Sequence, residues 1–323
     1  MKSIRDNRLF WFLKNLCALW RSDIYRDIQE LKLQTAENKG ALWNLSMHEI
    51  VCEIISYYER HPEKSNEYIE ELDYLDKNGW TNFPYQKLKT FDNLHVGYDD
   101  AKKLNWVLHN DKRLYFPAHY SQSKSGRLYV NFIENENILG GNYRTKCPHQ
   151  YQSDTFKIED GDVLVDVGCA EALLSLDVIE KVKKVYLIES DLRWLPALKA
   201  TFAPYKDKVV FVNKLVADTD SDTTITLAAL LKEEQDNPLF IKMDIEGYET
   251  QVIGSSKDFL LNHPKAKVAC CTYHKANDAE TLEKMFLSYG YETTFSDGYM
   301  LFRPDCLTPP YFRKGVIRAQ KKK

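Results

Sequence analysis

With 323 residues, 44 basic against 47 acidic side chains and a net charge of -3, the chain has no global field to concentrate a polyanion, which argues against a nucleic-acid partner. Hydrophobic residues at 44% and charged residues at 28% lie near the averages for globular proteins, which excludes wholesale disorder and a membrane-embedded fold. The length suggests two domains or one with a large appendage. The 7 cysteines include no Cys-x-x-Cys pair, which excludes a zinc ribbon and fits a reducing, cytoplasmic setting.

In chain order, the apolar run Leu9 to Trp20 is interrupted by Lys14 and Asn15 and falls short of a membrane span of about 20 residues. It reads as an amphipathic helix, with peripheral membrane contact left open. Met47, Ile50, Val51, Ile54, Ile55 and Tyr58 recur at helical spacing, a second helical run follows Pro62, and Gly79 ends it. Asn105 to His109 and Arg113 to Phe116 flank Asn110-Asp111, which predicts a hairpin. Residues 139 to 154 are turn-like and form the expected domain boundary.

Beyond it, short strand-like runs alternate with helical ones. Asp162–Asp166, Lys184–Glu189, Lys208–Val216, Leu239–Asp244 and Lys267–Tyr273 read as strands separated by helices. That alternation predicts a doubly wound, mostly parallel, Rossmann-like α/β sheet. Tyr291–Phe295 and Tyr299–Phe302, joined by Ser296-Asp297-Gly298, read as an antiparallel C-terminal edge hairpin. The expected organisation is therefore a mainly helical N-terminal region with a short hairpin over residues 1–150, a ligand-binding domain over 151–305, and a solvated basic tail over 306–323.

In such a sheet, ligands bind beyond the carboxyl ends of the strands. The turn after the first strand reads Asp166-Val167-Gly168-Cys169-Ala170-Glu171-Ala172, and Glu189 ends the second strand. Gly168 permits a sharp turn, and an acidic residue at about that separation suits a ribose diol. A dinucleotide would need the further glycines of Gly-x-Gly-x-x-Gly and positive potential, whereas Glu171 would repel phosphate. S-adenosylmethionine (SAM), with its sulfonium and ammonium charges and no phosphate, suits the acidic turn better.

Strand four ends in Ile241-Lys242-Met243-Asp244-Ile245-Glu246-Gly247-Tyr248-Glu249, with Lys242, Asp244 and Glu246 on one face by period two. Lys242 reads either as functional or as one half of a structural ion pair. Strand five delivers His274 to the same edge, where its near-neutral pKa suits proton removal from an alcohol.

These strings, with Val163-Leu164-Val165-Asp166-Val167-Gly168 and Tyr186-Leu187-Ile188-Glu189, resemble the FkbM family of SAM-dependent methyltransferases over about residues 155–303. The resemblance implies a seven-stranded methyltransferase sheet and O-methylation of a hydroxyl on a sugar, glycan or secondary metabolite. It implies Asp166, Gly168 and Glu189 as cofactor contacts, with Asn213 and Ala217-Asp218 near the adenine. Cys169, Ala170, Glu171, Ser190 and Asp244 complete the expected cofactor set, and His274, Asp244 and Lys242 the expected catalytic set. The family usually has glycine where Ala172 stands. For the acceptor, the loop carrying Tyr143, Arg144, Lys146 and Tyr151 competes with a plain linker reading, and Glu246 is a further candidate.

Direct methyl transfer needs no metal, and none is expected, although Asp244, Glu246 and His274 offer an oxygen and nitrogen set. The competing readings are a SAM-binding scaffold with weak catalysis, motivated by Ala172 and Glu171, and a dinucleotide-dependent oxidoreductase. A small-molecule or glycan acceptor is the expected partner, with self-association open.

Overall fold

The computed structural model describes residues 30, 34–35, 37–88, 92–140 and 145–322. The apolar run at residues 9–20 and the acceptor candidates Tyr143 and Arg144 lie outside the described residues. The chain divides into two compact units, Met1–Arg60 and His61–Lys323. In the first, residues 37–60 are helical, and Met47, Val51, Ile54 and Tyr58 are buried at the spacing the sequence predicts. The boundary expected near residues 139–154 falls inside the second unit.

The second unit opens with a short helical turn, Pro62–Ser65, and a 3-10 turn, Asn66–Tyr68, followed by a helix, Ile69–Asn78, that stops at Gly79 in a positive-φ conformation. A three-stranded antiparallel sheet follows, made of β1 (Val96–Asp99), β2 (Leu104–His109) and β3 (Lys112–Tyr115). The hairpin expected at Asn110-Asp111 is present, and both turn residues have positive φ, at 45° and 64°, as a two-residue turn matched to strand twist requires. Ser121 then caps the helix Gln122–Val130 by accepting from the Lys124 N–H at 3.1 Å. That helix runs on into a π-helical turn, Asn131–Glu136, a form that re-aims side chains and recurs at functional sites.

Five parallel strands carry the main sheet: β4 (Val163–Val167), β5 (Lys184–Ile188), β6 (Val209–Val212), β9 (Leu239–Met243) and β10 (Ala266–Cys271). Between β6 and β9, the short β7 (Leu215–Val216) and β8 (Thr224–Ile225) form a separate ladder. Every residue of β4 and β9 is buried, as expected for strands covered on both faces. Val163, Val165 and Val167 pack into one core layer and Leu164 into the other.

Beyond β10 come β11 (Tyr291–Phe295), β12 (Met300–Leu301), β13 (Phe312–Arg313) and β14 (Val316–Lys321). The seven-stranded order is β11-β14-β10-β9-β4-β5-β6. From β4 the chain builds outward through β5 and β6, then returns to β9 on the other side. The carboxyl ends of β4 and β9 therefore frame the switch point where open α/β sheets bind ligands.

Two expectations change here. Tyr291–Phe295 does not form a hairpin with Tyr299–Phe302: its antiparallel partner is β14, while Met300–Leu301 pairs with β13. The C-terminal run read as a solvated tail is thus β14, inserted antiparallel between β10 and β11. Val316, Ile317 and Ala319 are buried, and Arg318 is accommodated because it donates to the carbonyls of Gln150, Tyr151 and Gln152 at 2.8 to 3.2 Å. Basic composition concealed a strand whose cation has three backbone acceptors.

Candidate active site

Gly168 leaves β4 with φ at 70° and passes directly over the end of β9: a Cβ at this position would collide with the Asp244 carbonyl oxygen. The two strand ends are therefore in backbone contact. Lys242 ties them together. Its ammonium lies 3.1 Å from Asp166 and donates to the Gly168 carbonyl at 2.7 Å. Burial disfavours that charge, but Asp166 and Asp244 outweigh it and raise the pKa above the ordinary lysine range. Ser175 donates to the other Asp166 oxygen at 2.7 Å. Lys242 and Asp166 are thus the scaffold of the turn.

Four N–H groups of the turn are already used. Gly168 and Cys169 donate to the Ile188 carbonyl at 3.0 and 3.1 Å, Ala170 donates to Glu189 at 3.0 Å, and Ala172 donates to the Cys169 carbonyl at 2.6 Å. Phosphate cradles work by presenting free backbone N–H groups, and these four are spent on protein acceptors instead. Glu171 itself repels phosphate little, because burial pushes its carboxyl up to about 8 and leaves it largely neutral at pH 7. Nor is it in the first helical turn, since the helix starts at Leu173 after Ala172, which adopts φ 60°. That left-handed conformation is one that glycine adopts freely and an L side chain adopts at a cost. Burial also raises the Cys169 thiol well above its usual range and leaves it protonated.

Glu189 is half-buried and accepts from Ala170 with one oxygen and from Asp191 N–H with the other, at 2.8 Å. Its remaining lone pairs are available to a diol. Asn213 donates to the carbonyls of Glu189 and Ser190 at 2.6 and 3.2 Å, so these three residues form one rim. Ala217 extends the β7–β8 ladder by donating to the Ile225 carbonyl at 3.0 Å, and Asp218 beside it is exposed.

Asp244 is the hub of the other side. Tyr151 donates to it at 3.3 Å and Tyr273 at 3.2 Å, and two histidines flank it, His149 Nε2 at 3.6 Å and His274 Nε2 at 3.5 Å. Burial opposes ionisation of Asp244, but His149, Lys242 and His274 together hold its carboxyl below the usual range. His274 is itself caged: its Nδ1 lies 3.0 Å from the fully buried Glu249, which also accepts the Ile245 N–H at 2.8 Å. Burial alone would lower the His274 pKa, yet Glu249, Asp244 and Glu246 raise it.

A cavity of about 520 Å³ opens beside Asp244. Trp80, Asn82, Asn131, Asn135, His149 and Phe302 are among its walls, together with Glu136, Glu246 and Tyr273. The π-helical turn supplies Asn131, Asn135 and Glu136 together. Among the sequence candidates, Asp244 and Glu246 line it, whereas His274 does not. Lys146 is engaged elsewhere, in an ion pair with Glu70 at 2.8 Å.

Sequence reasoning singled out neither His149, Glu136 nor Tyr273, and gave Glu249 no role. Glu249 carried a usable signal, standing in the same string as Asp244 and Glu246. His149 carried none beyond being a histidine in a turn-rich stretch.

A mixed, mostly parallel seven-stranded sheet with its ligand edge at Gly168 and Asp244 is a methyltransferase-like α/β fold. A family model, the methyltransferase FkbM domain, matches residues 59–293, and the chain belongs to that family. Solved structures with similar folds include methyltransferase FkbM from Methylobacillus flagellatus KT, at 22% identity and a TM-score of 0.40 over 52% of this chain and 45% of that one. Precorrin-6y C5,15-methyltransferase from Geobacter metallireducens GS-15 is 13% identical, with a TM-score of 0.35 over 51% of this chain and 82% of that one. TrmK from M. capricolum, solved with the cofactor product S-adenosyl-homocysteine, is 12% identical, with a TM-score of 0.34 over 51% and 65% of the two chains. This chain thus spans less than half the length of the FkbM structure. No curated protein sequence matches it. Among the described residues no helix is long and apolar enough to cross a membrane.

Proposed function

We propose that the chain is a SAM-dependent methyltransferase that O-methylates a hydroxyl of a polar, carbohydrate-like acceptor. The observation that carries this reading is the turn at Gly168. Four of its N–H groups are spent on protein acceptors, its lysine is neutralised by Asp166, and Glu189 stands at its rim. Such a turn suits an adenosine with a cationic, phosphate-free tail better than a diphosphate.

In this reading Glu189 accepts from the ribose diol, with Asn213, Ser190, Ala217 and Asp218 forming the adenine side. The ionised Asp244 faces the cationic end. When bound, SAM supplies an already activated methyl group, so the chain has chiefly to position and desolvate the reactants. Trp80 and Phe302 offer faces on which a sugar ring stacks, and Asn82, Asn131 and Asn135 offer amides for its hydroxyls. Glu246, 81% exposed, lies where it would contact the acceptor as it enters.

The test is transfer of labelled methyl from SAM to a panel of methyl glycosides. Incorporation that is stable to mild base supports an ether product. Incorporation only into carboxyl or amino acceptors would overturn the O-methylation reading.

A further inference from the structure

Both histidines beside Asp244 are candidates to take the acceptor's proton, and their surroundings separate them. His274 has each ring nitrogen facing a carboxylate, Glu249 at 3.0 Å and Asp244 at 3.5 Å, and its ring is packed against Tyr273 and Phe302. It is absent from the cavity wall. His149 is part of that wall. Its Nε2 lies 3.0 Å from the Tyr151 hydroxyl, which in turn donates to Asp244. Its ring nitrogens also face carboxylates, Nδ1 facing Glu136 at 3.4 Å and Nε2 facing Asp244 at 3.6 Å. Its Nδ1, like that of His274, is buried without a hydrogen-bond partner, so it is the place of His149 in the wall, beside the wall residue Glu136, that distinguishes the two.

Resting on the methyltransferase reading above, we infer that His149, not His274, is the proton acceptor of the reaction. Tyr151 and Asp244 hold the proton on Nε2 and leave the Nδ1 lone pair on the side of the wall residue Glu136. This is the logic by which a carboxylate fixes the tautomer of a basic imidazole.

The step balances without a further reagent. The hydroxyl oxygen of the acceptor forms the new bond to the methyl carbon, and the pair from the broken carbon–sulfur bond stays on sulfur. The hydroxyl proton ends on Nδ1, beside Glu136, and leaves later to solvent. His274 is a positioning residue, clamped by Glu249 so that Asp244 stays in place.

The groups facing His149 are Glu136 from the π-helical turn, Tyr151 from its own strap, Asp244 from the end of β9, and Cys271 and Tyr273 from the end of β10. Phe83 stacks on the ring. Burial opposes the imidazolium, but Asp244, Cys271 and Glu136 raise its pKa well above the ordinary value. A base must be neutral to act, so the rate rises with pH above the usual histidine range.

The experiment compares wild type, His149→Ala and His274→Ala, with methyl glycosides as acceptors across neutral to alkaline pH, and measures S-adenosyl-homocysteine binding by calorimetry. His149→Ala is expected to lose about 100-fold or more in kcat, to lose the pH-dependent limb, to keep its affinity for S-adenosyl-homocysteine, and to regain activity with added imidazole. His274→Ala keeps the limb. Retention by His149→Ala of a rate within about threefold of wild type, or of the same limb, overturns the inference alone. A wild type that binds S-adenosyl-homocysteine but methylates no glycoside overturns the hydroxyl-acceptor reading and the inference with it. Should His149→Ala not fold, the ring nitrogens of ¹⁵N-histidine-labelled wild type are followed by NMR as the glycoside is added. A shifted Nδ1 supports the assignment, and an unmoved one overturns it.

Discussion

The backbone of Gly168 lies against the carbonyl of Asp244 so closely that no Cβ fits between them. The end of β4 therefore cannot move without moving the end of β9, and the proposed cofactor turn and acceptor cavity are mechanically one site.

Gly168→Ala tests this contact. At φ 70° the new side chain costs about 1–2 kcal/mol in backbone strain, and the collision with Asp244 adds to it. The expected outcome is a lower unfolding midpoint together with at least about tenfold weaker S-adenosyl-homocysteine binding, read by thermal melting and calorimetry. Unchanged binding would mean that the two strand ends are not coupled.

Lys242 and Asp166 are 8% and 2% exposed in their side chains. Lys242→Met leaves the Asp166 carboxylate without its ion-pair partner, a change that costs about 3–5 kcal/mol when both charges are buried. Denaturant unfolding is the measurement. A double variant, Lys242→Met with Asp166→Asn, should recover part of the loss.

Glu171 makes a pH prediction. Its pKa rises from 4.5 to about 8 because burial disfavours the carboxylate. The stability that this group contributes is therefore fully present below pH 4.5, and it is lost as pH rises through about 8. The full effect is roughly 3–5 kcal/mol. Glu171→Gln should remove that slope, matching wild type in acid and exceeding it at alkaline pH. Urea melts across that range decide it, and parallel pH profiles for the two proteins would contradict the burial argument.

Arg318 donates to three consecutive carbonyls, those of Gln150, Tyr151 and Gln152, and so pins the strap that carries His149 to β14. Arg318→Ala leaves those acceptors unpaired and should cost about 2–4 kcal/mol. Faster amide exchange in the strap, with the opposite edge at β6 unchanged, is the local signature to look for.

Much of this architecture can be read from the chain. The runs forming β4, β5 and β9 are apolar, bounded by turn residues and separated by helix-length segments, and Gly168, Asp244 and Glu189 follow from their positions at strand ends. Strand β14 is hidden because its apolar alternation, Val316, Ile317 and Ala319, is short and embedded among Arg318, Gln320 and lysines. Its burial depends on the carbonyls of Gln150 to Gln152, 166 to 168 residues away. His149 is hidden for a related reason. It lies in a stretch with no periodicity, and only the fold brings it to Asp244. The same limit applies to His274: strand position predicts the edge it reaches, but not that Glu249 encloses it there.

The most direct measurement of the central claim is calorimetric titration of the wild-type protein with S-adenosyl-homocysteine and, separately, with NAD. Saturable binding of the first at one site per chain, with no heat from the second, is the predicted result. Absence of binding to both SAM and S-adenosyl-homocysteine, or tight binding of the dinucleotide, would contradict it.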